Sequence, residues 1–462
     1  MTFRQTNLST ARLRAIDAAH HVHPFTDARD FGSEGARVIV RAKGVHLWDS
    51  EGNRIIDGMS GLWNVNLGHG REEVIEAIAA QMRELDFYNT FFLTTHPPAV
   101  ELSRLLAEVT PPDFNRVFFT SSGSESNDTI IRMVRHYWTT LGRPSRSMII
   151  ARRNGYHGST IGGASLSGMA VMHAQGGLPI PGIVHIAQPY WYLEGGDQTP
   201  EAFGLSAAGD LERAIEELGP DNVAAFVAEP IQGAGGVVIP PATYWPEIET
   251  ICRRHGILLV SDEVICGFGR TGRWFGCEYF GFRPDIMTLA KGITSGYLPL
   301  GAVMLTDKVA DALAAGGEFH HGYTSSGHPA ACAAAIANLR ILSNERIVER
   351  VQDDIGPYMQ ARWSSLGEHP MVGEARMVGL IGALELTPSK ATRAPWPVEA
   401  GTVGEITRDL SFRNGLVMRA SRDTMLIAPP LVISRDEVEA LIGVARQTLD
   451  DAWVEVRRRG YA

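Results

Sequence analysis

The sequence has few cysteines and no pattern that would put them to use. Its 462 residues include four cysteines, Cys252, Cys266, Cys277 and Cys332, and no two of them form a CxxC pair. Sparse cysteine in a long chain is typical of a protein kept reduced in the cytosol, not of one held together by disulfides. The sequence therefore predicts a cytoplasmic protein without a disulfide framework.

Long apolar runs and an excess of positive charge are also missing. No run of about 18 apolar residues is present, so we expect no membrane span. The segment Met1–His23 has no apolar core of the kind that a signal peptide needs. The formal net charge is −10 and the pI is near 5.9. That balance disfavours a nucleic-acid-binding protein, because nucleic-acid-binding surfaces are basic.

A metal site is not expected either. His20, His21 and His23 lie close together in the sequence, but no second cluster of ligands with suitable spacing accompanies them. We interpret them as histidines of a loop or a subunit interface. Repeats, low-complexity tracts and long linkers are absent as well.

The middle of the chain alternates short apolar runs with helical segments. Continuous apolar runs are typical of strands buried on both faces, which indicates a mostly parallel sheet between helical layers. Ligands bind such sheets beyond the carboxyl ends of the strands. Seven runs are predicted as strands: 116–120, 147–150, 182–186, 223–228, 257–261, 286–290 and 301–305.

The two ends of the chain differ from the middle. Residues 1–35 are predicted to be an irregular arm, and residues 37–57 read as a hairpin or small meander. After Leu342 helices dominate, with strand candidates at 379–386, 416–418 and 424–428 and a final helix from Glu437. The sequence thus predicts an α/β protein in three parts: an arm and part of a small domain (1–70), a large domain (71–335) and a small α+β domain (336–462).

A run of small hydroxyl residues, Phe119–Asn127, opens a helix predicted to extend to about Leu141. Free backbone N–H groups and the positive end of a helix dipole make such a turn a cup for phosphate. The alternative is ordinary N-capping by serine. The run lacks the Gly-Lys-Ser ending of a P-loop and the GxGxxG pattern, so we expect neither a nucleoside triphosphate nor a dinucleotide.

Three charged residues end successive strands: Glu229, Asp262 and Lys291. Neighbouring parallel strands would bring them to one rim, where a buried carboxylate needs a cationic partner such as a protonated pyridine nitrogen. A lysine buried there has a lowered pKa and becomes a nucleophile for Schiff-base chemistry. The alternatives are that Asp262 or Glu263 caps a helix, and that Lys291 extends to solvent.

Tyr156 supplies a possible stacking surface, because it lies between two glycines in Asn154–Gly158. A tyrosine that only packs the turn is the alternative. Phosphate cup, aromatic ring, carboxylate and amine together predict a site for pyridoxal phosphate. Leu62 and Trp63, in a glycine-punctuated loop, and the aromatic cluster at 87–92 are either core packing or the walls of an apolar pocket.

These motifs resemble the class III aminotransferases of fold type I, and within them the (S)-selective ω-transaminases that act on amines with pyruvate. The resemblance covers nearly the whole chain. It is carried by the stretches 87–92, 155–163, 229–236, 261–272 and 290–292.

The resemblance implies a role for each cofactor-binding residue. Lys291 is the Schiff-base lysine and proton shuttle, and Asp262 is the partner of the pyridine nitrogen. Thr324 reaches the phosphate of the partner subunit, which implies a homodimer with shared active sites and leaves a tetramer open. The remaining cofactor-binding positions are Ser122 and Gly123 at the phosphate, Tyr156 and Val264 on the two ring faces, His157 and Glu229.

The resemblance also implies a substrate pocket and a reaction. Arg419 would bind the carboxylate of pyruvate and move aside for an uncharged amine. The reaction moves an amino group from a primary amine or diamine to pyruvate, giving alanine. An aminomutase or racemase on the same fold, or a non-enzymatic phosphate-ligand-binding protein, is the alternative. The other pocket residues are Phe25, Leu62, Trp63, Phe91, Phe92, Tyr156 and Ala234.

Overall fold

The computed structural model describes residues 8–27, 29 and 35–462. Its strands are β1 (Ile39–Lys43), β2 (His46–Asp49), β3 (Arg54–Ile56), β4 (Arg116–Thr120), β5 (Met148–Arg152), β6 (Ile183–Ile186), β7 (Val223–Ala228), β8 (Leu258–Asp262), β9 (Ile286–Leu289), β10 (Gly301–Leu305), β11 (Val372–Val378), β12 (Ile381–Leu386), β13 (Arg419–Ser421) and β14 (Thr424–Ile427).

The helices lie mainly between these strands and at the two ends of the chain. They are α1 (Thr10–His20), α2 (Ser60–Trp63), α3 (Glu72–Glu84), α4 (Pro97–Val109), α5 (Gly123–Thr140), α6 (Ile161–Leu166), α7 (Ala170–His173), α8 (Trp191–Glu194), α9 (Pro200–Leu218), α10 (Tyr244–His255), α11 (Gly276–Phe280), α12 (Asp307–Ala315), α13 (Pro329–Asn344), α14 (Ile347–Arg350), α15 (Gly356–Ser364), α16 (Thr402–Arg413) and α17 (Arg435–Arg458). Short 3₁₀ turns cover Lys291–Ile293 and Ser365–Glu368, and a π-helical turn covers Val351–Ile355. In this described part of the chain no helix is both long and apolar enough to cross a membrane.

The central sheet confirms the predicted fold class. Among the described residues it has seven strands in the order β4-β10-β9-β8-β7-β5-β6, and only β10 runs antiparallel to its neighbours. Every residue of β7 is buried, with Phe226 packing in one hydrophobic cluster and Val227 in another. Side chains of adjacent strand residues point to opposite faces, so this sheet is covered on both sides.

The segment before the central sheet forms the predicted meander. Strands β1, β2 and β3 pair in sequence order and antiparallel. The backbone N–H of Ile56 donates to the carbonyl of Gly415 at 2.8 Å, and Ile56 accepts from the N–H of Val417 at 2.9 Å. This N-terminal sheet is therefore joined directly to the C-terminal part of the chain. The domain boundaries at residues 70 and 335 stay a prediction.

The C-terminal sheet differs in part from the prediction. Its strands are all antiparallel in the order β11-β12-β14-β13. The expected strand at 416–418 was wrong, because the pairing residues are Arg419–Ser421. Strand β11 was not predicted, since its interior residues are only half-buried and include charged side chains.

The N-terminal arm also differs from the prediction of an irregular segment. Helix α1 begins after Ser9, whose side chain accepts a hydrogen bond from the backbone N–H of Arg12 at 3.3 Å. None of its residues is buried. Because burial is what gives a helix an apolar stripe, α1 lacks the periodic pattern by which helices are predicted from sequence.

Candidate active site

A cavity of about 370 Å³ lies where the carboxyl ends of β7, β8 and β9 meet the N-terminus of α5. This is the edge of a parallel sheet at which ligands are expected, and the volume suits a small cofactor or ligand. The predicted residues that line it are Ser122, Gly123, Tyr156, His157, Glu229, Asp262, Val264 and Lys291. The structure thus brings together every cofactor-binding residue predicted from the sequence except Thr324.

Lys291 lies two residues after the end of β9 and lines the cavity. Burial lowers the pKa of Lys291 from its ordinary value of 10.5 to about 8, although the negative charges of Asp262 and Glu229 act in the opposite direction. About a tenth of this amine is therefore uncharged at pH 7, far more than for an ordinary lysine, and the uncharged amine is the nucleophile. The backbone of Lys291 has φ +48°, a left-handed conformation that costs a residue with a side chain about 1–3 kcal/mol.

Asp262, at the end of β8, is buried and ionised. Its Oδ2 accepts hydrogen bonds from His157 Nδ1 at 2.6 Å and Asn127 Nδ2 at 2.9 Å. Burial alone would raise the pKa of this carboxyl, but the bonds from His157 and Asn127 hold it below its usual range. Its Oδ1 accepts from the N–H of Val264 at 3.1 Å. A carboxylate kept charged at the cavity wall is a suitable partner for a cationic ring nitrogen.

The neighbouring carboxylate, Glu263, serves a different purpose. Its oxygens accept from the N–H groups of Gly276 and Cys277, at 2.7 and 2.8 Å, at the start of α11. Burial raises the pKa of Glu263 to about 7. The helix-capping role that the sequence left open between Asp262 and Glu263 therefore belongs to Glu263.

Glu229 closes the same side of the site from the end of β7. One oxygen accepts from the N–H of Tyr156 at 3.0 Å and the other from the N–H of Gly233 at 2.8 Å. Burial raises the pKa of Glu229, and the nearby His157 opposes that rise. The side chain thereby fixes the turn that carries Tyr156 and the loop that leads to Ala234.

The opposite end of the cavity presents free backbone donors. Ser122 caps α5, and its Oγ accepts from the N–H of Glu125 at 3.2 Å. Within the described residues, the N–H groups of Gly123 and Ser124 have no hydrogen-bond acceptor in the protein. A Cβ at position 123 would come within 3.1 Å of the side chain of Val264, so glycine keeps this end of the cavity open. Unpaired donors at a helix N-terminus form a site for phosphate.

Tyr156 and Val264, which are predicted to bound the cofactor ring on its two faces, both line the cavity. The hydroxyl of Tyr156 lies 3.0 Å from Ser159 Oγ, which holds the ring in place. Phe25 approaches the outer side of this ring edge-on, with centroids 6.2 Å apart. The arm of the protein therefore reaches the mouth of the cavity.

Arg419 is the first residue of β13. Burial lowers the pKa of Arg419, and its charge acts on both Tyr156 and Lys291. Among the described residues no carboxylate pairs with it within salt-bridge distance. A partly buried guanidinium without a counter-ion is suited to binding the carboxylate of a ligand.

The remaining predicted residues, like Arg419, do not line this cavity. Trp63 is only 2% exposed and packs in a cluster with Met59 and Ile265. Ala234 is buried beside β13, where its carbonyl accepts from Ser421 Oγ at 3.0 Å. Leu62 is exposed.

Phe91 and Phe92 line a second cavity, together with His321 and Gly322, and Thr324 is exposed just beyond it. The structure does not bring these residues to the cavity of their own chain. Phe92 and the adjacent Leu93 are almost completely exposed. Contiguous exposed apolar side chains are typical of a protein–protein interface.

Asn127 is a site residue that the sequence analysis quoted but gave no role. It is buried and donates both to Asp262 and, at 2.8 Å, to the carbonyl of His157. A signal was available, because Asn127 falls on the same helical face as the apolar Ile130, Ile131 and Val134. A polar residue on a buried face needs a partner. Asn64 and Thr294 also line the cavity and were missed.

The residues in the cavity fit a planar cofactor with a phosphate at one end. Free N–H groups could bind a phosphate, an ionised carboxylate could pair with a ring nitrogen, and a lysine of lowered pKa is available for covalent attachment. The observation that supports this fit is the unpaired Gly123 and Ser124 donors facing a cavity whose other end holds buried Asp262.

Comparison with known proteins identifies the class to which this site belongs. Residues 31–449 match the family described as aminotransferase class-III. The chain belongs to the class III aminotransferase family, and it is an aminotransferase. Members of this family depend on pyridoxal phosphate. The resemblance inferred from the sequence is therefore confirmed.

Individual relatives agree with this assignment. The chain is 56% identical to the putrescine–pyruvate aminotransferase of Pseudomonas aeruginosa over 450 residues, 97% of this chain and 98% of the relative. It superposes with a TM-score of 0.92 on an (S)-enantioselective ω-transaminase from Thermomicrobium roseum, at 45% identity and covering 96% of this chain and 98% of that one. An ω-transaminase from Pseudomonas jessenii in complex with PMP gives 0.93 at 38% identity, covering 95% and 98%.

Proposed function

We propose that this aminotransferase carries pyridoxal phosphate on Lys291 and moves the amino group of a primary amine or diamine to pyruvate. The observation that carries the proposal is the lysine of lowered pKa beside an ionised, buried Asp262. The products are an aldehyde or ketone and alanine. The 56% identical putrescine–pyruvate aminotransferase supports this choice of substrates.

Each end of the cofactor has a group suited to hold it. Ser122 and the N–H groups of Gly123 and Ser124 would bind the phosphate, and Asp262 would pair with the ring nitrogen. Tyr156 and Val264 would bound the ring on its two faces. His157 and Asn127 act through Asp262, since their hydrogen bonds keep its carboxyl ionised.

The bound cofactor supplies an electron sink for the bond that is broken at the amine-bearing carbon. Lys291 Nζ would hold the cofactor through a Schiff base and, when free, would take a proton from the amine-bearing carbon and give it back in the second transfer. Its lowered pKa makes the amine a base near neutral pH. Arg419 would bind the carboxylate of pyruvate during the second half of the reaction.

The positions of Phe91, Phe92 and Thr324 support a homodimer with shared active sites. These residues lie away from the cavity of their own chain, next to the exposed Leu93. In a dimer they would complete the site of the other subunit. Mixing Lys291→Ala with Thr324→Ala subunits tests this, because a mixed dimer would contain one intact site and regain activity that neither parent has.

Measurement of both substrates tests the reaction. Purified holoenzyme with putrescine and pyruvate should form one alanine for each amine consumed, and omission of pyruvate should stop turnover. Turnover that continues without pyruvate would instead identify an isomerase. A protein that neither consumes amine nor changes its visible absorption when amine is added would contradict the proposal altogether.

A further inference from the structure

Three metal-ligating side chains come together at the end of α1. Nδ1 of His21 lies 3.1 Å from one carboxylate oxygen of Asp17, and Nε2 of His23 lies 2.8 Å from the other. The three ligand atoms are within 4.8 Å of one another, and the two imidazole centroids are 4.0 Å apart. An ion placed among them is within reach of all three residues.

The local backbone explains this convergence. Asp17 precedes His21 by four residues, so both lie on the same side of the helix. The helix ends at His20, and His21 has extended backbone with φ −112° and ψ 126°. Side chains two apart in extended chain share a side, so His23 joins His21 while Val22, 93% exposed, points away.

The third ligand is what the sequence analysis overlooked. The expectation of no metal site rested on the lack of a second ligand cluster near the histidines. Asp17 was not considered, because the arm was predicted to be irregular. Helix α1 brings Asp17 to the histidines and completes a set of two imidazoles and one carboxylate.

The donor set selects a class of metal. Two imidazole nitrogens and one carboxylate oxygen suit Zn²⁺ and similar transition metals, whereas Mg²⁺ and Ca²⁺ prefer oxygen ligands alone. Three protein ligands leave a coordination position for water. A cavity of about 320 Å³ lies against the segment and is lined by His21, His23 and Thr26, which gives that water room.

The segment after the ligands leads to the active site. Phe25 follows His23 by two residues, and its ring lies 6.2 Å from that of Tyr156. Phe25 is 73% exposed and is therefore weakly held by the rest of its own chain. An ion bound to His21 and His23 would fix the start of this segment.

We propose that Asp17, His21 and His23 form a zinc site that fixes residues 21–26, and with them Phe25, at the mouth of the active-site cavity. The zinc site stands on the arm alone. Only its effect on the cavity rests on the proposed function, so failure of transamination and failure of zinc binding are separate results.

Zinc titration of the metal-stripped holoenzyme by calorimetry tests the site. We expect one Zn²⁺ per chain, and no binding of Mg²⁺ at the same concentration. His21→Ala and His23→Ala should each weaken zinc binding by at least about tenfold, since loss of an outer partner of a ligand already costs that much. His20→Ala is the matched control, because His20 adjoins the cluster without belonging to it, and it should bind zinc like the parent.

Other outcomes overturn the site. Absence of saturable zinc binding would show that Asp17 only accepts hydrogen bonds from the two histidines. Zinc binding that survives both His21→Ala and His23→Ala would place the ion elsewhere. If His20→Ala lost as much zinc affinity as the other two variants, the binding would depend on the number of histidines in the segment and not on this particular site.

Hydrogen exchange tests the second half of the proposal. Zinc at about ten times its Kd should slow exchange of the backbone amides of residues 21–26 by about tenfold in the parent protein. The His23→Ala variant should show no such slowing. Zinc binding without slower exchange in this segment would overturn the claim that the ion fixes Phe25.

Discussion

The two ends of the active-site cavity differ in how firmly the chain holds them. At the ring-partner end, Asp262, His157 and Asn127 are at most 2% exposed and are joined by hydrogen bonds of 2.6 to 2.9 Å. The substrate end, which the sequence predicts to include Phe25, Leu62 and Arg419, is held less firmly, because Phe25 and Leu62 are 73% and 58% exposed. The difference separates the two tasks of the enzyme, because the cofactor chemistry needs fixed charges while substrate choice needs an adjustable mouth.

The largest effect on activity is expected from removal of the Lys291 amine, which lies between the two ends of the cavity. Lys291→Ala should lower kcat for putrescine and pyruvate by roughly 10⁴-fold or more, since Lys291 is the only lysine among the described residues that line the cavity. Circular dichroism and thermal unfolding should show an intact fold. Activity close to that of the parent would remove Lys291 from the mechanism.

At the ring-partner end, loss of one charge should be nearly as costly. Asp262→Asn keeps the size of the side chain but removes the negative charge, and we expect kcat to fall roughly 100- to 1,000-fold. Glu263→Gln is the matched control, because this adjacent buried carboxyl caps α11 and does not line the cavity. It should lose stability and largely keep kcat. Equal losses of kcat in the two variants would show that buried charge in general, not the ring partner, is what matters.

At the substrate end, a loss should affect one substrate only. Arg419→Ala should raise KM for pyruvate by roughly 10- to 100-fold, the cost of hydrogen bonds to a charged group, and leave KM for putrescine little changed. Arg422→Gln, three residues further along and exposed, should leave both KM values unchanged. If both KM values rise together in Arg419→Ala, the arginine supports the fold of the site rather than binding the carboxylate.

The smallest effect is expected from the lowered pKa of Lys291. Only the uncharged amine reacts, so the rate at which the apoenzyme binds pyridoxal phosphate covalently should rise with pH about tenfold per unit up to about 8 and then level off. Stopped-flow absorbance measures this rate. The reference is free lysine whose α-amine is blocked, so that only its side-chain amine reacts. A rate that keeps rising to near pH 10 would show that burial does not lower this pKa.

The ring-partner end could be predicted from sequence for a physical reason. Glu229, Asp262 and Lys291 end buried strands, and adjacent parallel strands must bring their ends together whatever the details of packing. Strand order then decides the rest, and β7, β8 and β9 are indeed neighbours. The helix start at Ser122 was predictable by the same kind of local rule.

The substrate end and the arm could not be predicted as well. An aromatic residue in a glycine loop reads the same whether it faces a ligand or the core, so only the structure shows that Trp63 is buried. Helix α1 has no buried residue and hence no apolar stripe. Strand β13 has only three residues, all half-buried, which is too few for a burial pattern to locate it. The strand was predicted at 416–418, three residues too early.

Lys291 combines a left-handed backbone with an amine withdrawn from water. Glycine at this position would adopt the same backbone without a steric penalty and would bury no charge. The apoprotein with Lys291→Gly should thus withstand heat better than its active parent. Activity and thermal stability therefore place opposite demands on position 291, and the lysine found there meets the demand of activity.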